Sequence, residues 1–116
     1  MQILLISDSR LVADRLVGRI SALERATVIS FDGRLGSALE FIRKKSPDVV
    51  IIDTHLEDGR GMDLLREIKQ LGTSPVIIAV STSNVQQYVR QSLKEGADCF
   101  FILPDEINEL VEFLEG

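Results

Sequence analysis

Five short apolar runs alternate with amphipathic stretches along the whole of this 116-residue chain. The runs are Ile3–Ile6, Ala26–Phe31, Val49–Ile52, Val76–Val80 and Cys99–Ile102. Brief unbroken apolar runs bounded by polar residues predict strands buried on both faces. The stretches between them have helical spacing: Val12, Leu16, Ile20 and Leu23; Leu35, Leu39 and Ile42; Met62, Leu65 and Ile68; Val85, Val89 and Leu93; and Ile107, Leu110, Val111 and Leu114. Each set predicts a helix with one buried stripe. The punctuation agrees. Ser9, either Ser83 or Asn84, and Asp105 stand where helix starts need a side-chain cap. Gly72 and Gly96 follow helical patterns, where a left-handed terminating residue is required. Pro47 and Pro75 precede strands at points where a helix cannot continue. The order is therefore (βα)5 without linker or repeat, an α/β domain over residues 1–116 with a parallel sheet covered by helices on both faces.

Two of the runs end in an acid. Asp48-Val-Val-Ile-Ile-Asp53 closes on Asp53, and Ile3-Leu4-Leu5-Ile6-Ser7 is followed by Asp8. Open α/β sheets place their ligands beyond the carboxyl ends of the strands. Two acids delivered there by separate strands suit a divalent cation or a phosphoryl group. Asp8 can also be read as a cap on the first helix, a task that Ser9 could perform equally well.

Composition limits the other classes. The net charge of −5 is uneven. Residues 1–45 hold eight Lys/Arg against five Asp/Glu, a balance of +3, and residues 46–116 hold five against thirteen, a balance of −8. From Asp98 onward there are six acids and no Lys or Arg, which argues against nucleic-acid binding by this domain. The acidic end reads first as a solvated helix face and second as a surface for a basic partner. No apolar stretch nears the roughly 18 residues of a membrane span. The start, Met1-Gln2-Ile3, lacks a signal peptide's basic region. A lone Cys99 forms no internal disulfide and fits a reducing cytosol, so a cytoplasmic location is expected. His55 is the only histidine, and without Cys/His companions it does not point to zinc. Ser81-Thr82-Ser83-Asn84 lacks the glycines of a phosphate-binding loop, and N-capping accounts for it.

The order of elements and the residues that end the strands resemble the receiver domain of two-component response regulators, over the whole chain. The family's first strand ends in two acids, and the matching pair here is Ser7-Asp8. Its phosphoacceptor Asp matches Asp53, in Asp53-Thr54-His55-Leu56-Glu57-Asp58-Gly59-Arg60-Gly61. Gly61 stands at the family's glycine, while Glu57 replaces its Pro. The Ser/Thr of the fourth strand matches Ser81, and the fifth-strand aromatic matches Phe100. The family's Lys-Pro pair reads Leu103-Pro104, so the Lys is missing. The resemblance implies a three-layer, flavodoxin-like fold with strand order 2-1-3-4-5. It also implies phosphorylation of Asp53 by a histidine kinase, a phosphotransfer protein or a small phosphodonor.

On this resemblance Mg²⁺ would be held by Asp8, Asp53 and the backbone carbonyl of His55. Ser81 would bond the phosphate, and Ser81 with Phe100 would switch the helix 4–strand 5–helix 5 surface toward a partner, a fused output domain or a second copy. The protein is then no enzyme beyond its own phosphoryl transfer and dephosphorylation. Structural readings of the same residues stay open: Ser81 can simply bond backbone at a strand end, and Phe100 can be a core aromatic. Ser7, Glu57 and Leu103 depart from the family pattern, since a leucine offers neither charge nor donor to a phosphate. They favour the alternative of a degenerate pseudo-receiver that binds proteins without phosphorylation. A flavodoxin-like cofactor binder shares the architecture, but Ser7-Asp8-Ser9-Arg10 has no phosphate-cradling glycines.

Overall fold

The computed structural model describes residues 1–31, 35–54, 61–72, 75–83 and 86–116, with backbone only at 31, 35 and 36. Its elements are β1 (Gln2–Ile6), α1 (Arg10–Ile20), β2 (Thr27–Phe31), α2 (Leu35–Lys45), β3 (Val49–Asp53), α3 (Gly61–Gln70), β4 (Val76–Ser81), α4 (Gln86–Lys94), β5 (Cys99–Ile102) and α5 (Ile107–Glu115). All four strand pairings are parallel. The strand order is β2-β1-β3-β4-β5, as the resemblance implied.

Period-two alternation divides the central strands between two cores. Leu4 and Ile6 of β1, Val50 and Ile52 of β3, and Ile77 and Ala79 of β4 pack with Ala38 and Ile42 of α2 and with Leu64, Leu65 and Ile68 of α3. Their neighbours Ile3, Leu5, Val49, Ile51, Ile78 and Val80 pack on the other face with Val12, Leu16 and Ile20 of α1, Leu103, and Leu110 of α5. Both faces of these strands are covered, which is why their sequences are unbroken apolar runs rather than alternating ones. Arg19 of α1 donates to the Asn108 side chain of α5 at 2.8 Å, joining the two helices of the second face.

Two aspartates hold the entrance ends of the strands. The Asp48 backbone N–H donates to the Gln2 carbonyl at 2.9 Å, and the Gln2 N–H donates to the Asp48 carboxylate at 2.7 Å. Asp98 repeats the arrangement with Ile77, at 2.8 and 2.7 Å. Each carboxylate thus occupies a strand N–H that the parallel ladder would leave open, through a charge-assisted bond. Neither bond leaves a trace in the hydropathy pattern of the chain.

The expected punctuation is largely present. Ser9 caps α1, its Oγ accepting the Val12 N–H at 3.3 Å. Gly72 and Gly96 have φ of +77° and +118°. Two expectations are corrected. Leu93 is 44% exposed, whereas Ser92 is fully buried. The Ser92 hydroxyl donates to the Tyr88 carbonyl at 2.8 Å, so this polar residue satisfies itself on its own helix and can face inward. The residue preceding α5 is Glu106, not Asp105. Glu106 caps no N–H of α5; its carboxylate folds back to accept the Ile102 N–H of edge strand β5 at 2.7 Å. Asn84 and Val85 lie outside the described residues, and Leu23 lies beyond the end of α1.

Cys99 begins β5 half-buried. Burial, with the negative charge of Asp98 adding to it, pushes its thiol up to about 11 from 9.0. The folded chain therefore holds this proton more tightly than the unfolded chain. Its contribution to stability is present below pH 9 and is lost as the pH rises through 11. At pH 8 the native thiolate population is expected to be about a hundredfold below that of the unfolded chain. Iodoacetamide labelling at pH 8, with and without denaturant, measures the difference; equal rates would refute it.

Candidate functional site

The carboxyl ends of β1, β3, β4 and β5 bring Ser7, Asp8, Asp53, Ser81 and Leu103 to one edge of the sheet. Ile6 is paired with Ile52, so the next residues of the two strands, Ser7 and Asp53, face each other. Both are 5% exposed, and the Ser7 hydroxyl donates to Asp53 Oδ2 at 3.0 Å. Ser7 Oγ in turn accepts the Ser9 N–H at 3.1 Å. Asp8 is half-buried between them in sequence. Ser9 performs the α1 cap that the sequence also allowed Asp8 to perform.

Thr54 follows Asp53 and is held twice to β4. Its N–H donates to the Val80 carbonyl at 3.0 Å, and its hydroxyl donates to the same oxygen at 3.3 Å. The first residue of α3, Gly61, lies against this backbone. A Cβ at Gly61 would stand 2.8 Å from the Thr54 carbonyl oxygen and 2.9 Å from its Cα. The glycine recognised in the sequence by its distance from Asp53 is thus a close-approach residue.

Ser81 is 1% exposed at the end of β4, and its Oγ accepts the Ser83 N–H at 3.0 Å. The backbone-bonding reading of Ser81 describes this arrangement. A hydroxyl that accepts one bond retains its own proton for donation, so a second partner remains compatible with it. Phe100 on β5 is half-buried against the core on the α2 and α3 side. Leu103 is 5% exposed and belongs to the opposite core with Val12 and Leu110. A small cavity of about 70 Å³ beside it is lined by Leu11, Val12, Arg15, Thr82, Leu103, Pro104 and Ile107. Leu103 is therefore a packed core residue where the family pattern has a cation. His55 and Glu57 lie outside the described residues.

The side-chain donors of β1 and β3 at this edge are all oxygens: the carboxylates of Asp8 and Asp53 and the hydroxyl of Ser7. Hard oxygen donors with one or two carboxylates fit Mg²⁺, which keeps several waters. Among the described residues no group of three or more His, Cys, Asp or Glu comes together. Among the described residues the carboxylates at this edge are those of Asp8 and Asp53. Among the described residues no helix is long and apolar enough to cross a membrane.

The curated relatives this chain matches include the transcriptional regulatory protein CitB of Klebsiella pneumoniae, 28% identical over 112 residues, which cover 97% of this chain and 48% of the relative. DegU of Brevibacillus brevis, also a transcriptional regulatory protein, is 28% identical over 113 residues, with 97% and 48% covered. The chain spans about half the length of these relatives. Among solved structures, the response regulator domain of Thermotoga maritima CheB superposes with a TM-score of 0.81 at 23% identity, covering 99% of this chain and 91% of that one. A response regulator from Burkholderia pseudomallei, solved with a phosphorylated aspartic acid, calcium ion and citrate, gives 0.81 at 17% identity, with 98% and 70% covered. These likenesses show the fold. The response regulator receiver domain model matches residues 3–115, and the chain belongs to that family.

Proposed function

We propose that Asp53 is a phosphoacceptor and that the chain acts as the receiver of a two-component phosphorelay. The observation that carries this reading is the placement of Asp53, an acid 5% exposed at the carboxyl end of β3 with Asp8 on the neighbouring strand's end. In the step itself an Asp53 carboxylate oxygen attacks phosphorus and forms the new P–O bond. The bond from phosphorus to the donor's nitrogen or acyl oxygen breaks, and its electron pair leaves with the donor. The donor is a histidine kinase, a phosphotransfer protein or a small acyl phosphate. Asp8 and Asp53 would hold Mg²⁺, with the His55 carbonyl as the family's third ligand. Bound there, the cation neutralises the phosphoryl oxygens.

In this reading Ser81 donates its hydroxyl proton to a phosphate oxygen, and Phe100 repacks with it. The readout is the face formed by α4, β5 and α5, where Tyr88 and Leu93 are 39% and 44% exposed. A partner, an output domain or a second copy would bind the phosphorylated packing better than the unphosphorylated one. A cytoplasmic setting belongs to the same reading and is supported by the single cysteine.

Intact-mass analysis after incubation with Mg²⁺ and acetyl phosphate tests the proposal. The expected result is an adduct of about +80 Da, the mass of one phosphoryl group, which Asp53→Asn abolishes. No adduct from acetyl phosphate or from the cognate kinase would overturn the reading and leave protein binding alone as the function.

A further inference from the structure

We infer that Ser7 is a positioning residue for Asp53, fixing the orientation of its carboxylate without the help of a cation. The inference rests on the phosphoacceptor reading for its catalytic consequence, though not for its geometry. Ser7 Oγ accepts the Ser9 N–H at 3.1 Å, which occupies one lone pair of the hydroxyl and polarises it. Its single proton has two acceptors within reach, Asp53 Oδ2 at 3.0 Å and the Ser9 carbonyl at 3.5 Å. The carboxylate oxygen is the nearer acceptor, so the hydroxyl donates its hydrogen bond there. Ser9 in turn is anchored as the cap of α1.

A relay therefore runs from the helix cap through Ser7 to the carboxylate, and both side chains that meet in it are buried. The terminal torsion of an aspartate is broad and roughly two-fold, so a carboxylate needs a partner to hold one plane. Ser7 supplies one such partner from the neighbouring strand. A second acid at this position would repel Asp53 and need a cation between them. The hydroxyl attracts it instead. The departure from the family's first acid thus exchanges metal-dependent placement of the acceptor for placement built into the strand pair.

The test uses the full chain labelled with ¹³C at aspartate carboxyl carbons, at fixed pH with chelator present. The Asp53 line is identified by its loss in Asp53→Asn. Ser7→Ala is expected to move and broaden that line, and Ser7→Thr, which restores a hydroxyl, is expected to return it. With acetyl phosphate and Mg²⁺, Ser7→Ala should lower kcat by about tenfold with KM unchanged, because placement of the attacking oxygen acts on the transition state; Ser7→Thr should recover it. A purely structural role would lower Tm without separating kcat from KM. An Asp53 line that stays in place in Ser7→Ala overturns the inference. If the parent chain takes no phosphoryl group, the phosphoacceptor reading fails while the carboxyl line still decides the role of Ser7.

Discussion

Gly61→Val is expected to lower the stability of this domain by about 3 kcal/mol, the upper end of what overpacking costs. That loss corresponds to about 10 °C in Tm for a domain of this size. The cause is local. Any Cβ at Gly61 would lie 2.8 Å from the carbonyl oxygen and 2.9 Å from the Cα of Thr54. Both are backbone atoms, and Thr54 is tied to Val80 by two hydrogen bonds, so neither side can yield cheaply. Gly61→Ala should cost less, about 1–2 kcal/mol, because its single methyl is offset by better helix propensity. Gly18, exposed within α1 with nothing within 4 Å of its would-be Cβ, is the control. Gly18→Ala should be neutral or stabilising by up to about 1 kcal/mol. Since Thr54 adjoins Asp53, Gly61→Val should also slow phosphoryl transfer to the folded fraction if Asp53 is the proposed phosphoacceptor. Thermal melts of the three variants decide the matter, and equal melting temperatures for Gly61→Val and the parent would refute the close-approach argument.

Gly61 also shows what kind of information the sequence carries. Its distance from Asp53 could be recognised as a pattern, but the reason for a glycine there becomes visible only when α3 lies against Thr54. The five strands were legible because burial on both faces leaves a one-dimensional trace, the unbroken apolar run. Their ends shifted by no more than one residue. The positions of Asp8 and Asp53 were legible because they end such runs. Hydrogen bonding to backbone leaves no hydropathy signal, so the clamps of Asp48 and Asp98 on neighbouring strands passed unread. An acid just ahead of an apolar run, as in Pro47-Asp48-Val49 and Ala97-Asp98-Cys99, is the signal that could have found them. Ser92 misled for the opposite reason. Its hydroxyl bonds its own helix, so a polar residue took the inward position that periodicity gave to Leu93. The partner of Ser7 required the register of β1 against β3, which no single segment encodes.

Leu103→Lys should produce two effects of opposite sign, and together they test what the missing cation costs the site. Leu103 is 5% exposed between α1 and α5, packed with Val12 and Leu110. Exchanging it for lysine sacrifices part of its burial and brings an ammonium close to an apolar core, so the unphosphorylated domain should lose about 1–3 kcal/mol. The loss stays moderate because the lysine stem can occupy the adjoining cavity of about 70 Å³. Thr82 lines that cavity, and it follows Ser81, so the cavity leads from Leu103 toward the end of β4. An ammonium reaching that end would be available to a phosphate on Asp53, a charge-assisted contact contributing about 1.5–3 kcal/mol. The variant should therefore melt below the parent without phosphodonor, yet gain more in Tm than the parent when acetyl phosphate and Mg²⁺ are added. The difference between the two increments is the informative quantity, since it cancels the packing loss common to both states. An increment equal to the parent's would show that the leucine is not what limits the response. The limit would then fall on the proposed Mg²⁺ site, where Ser7 stands in place of the family's first acid.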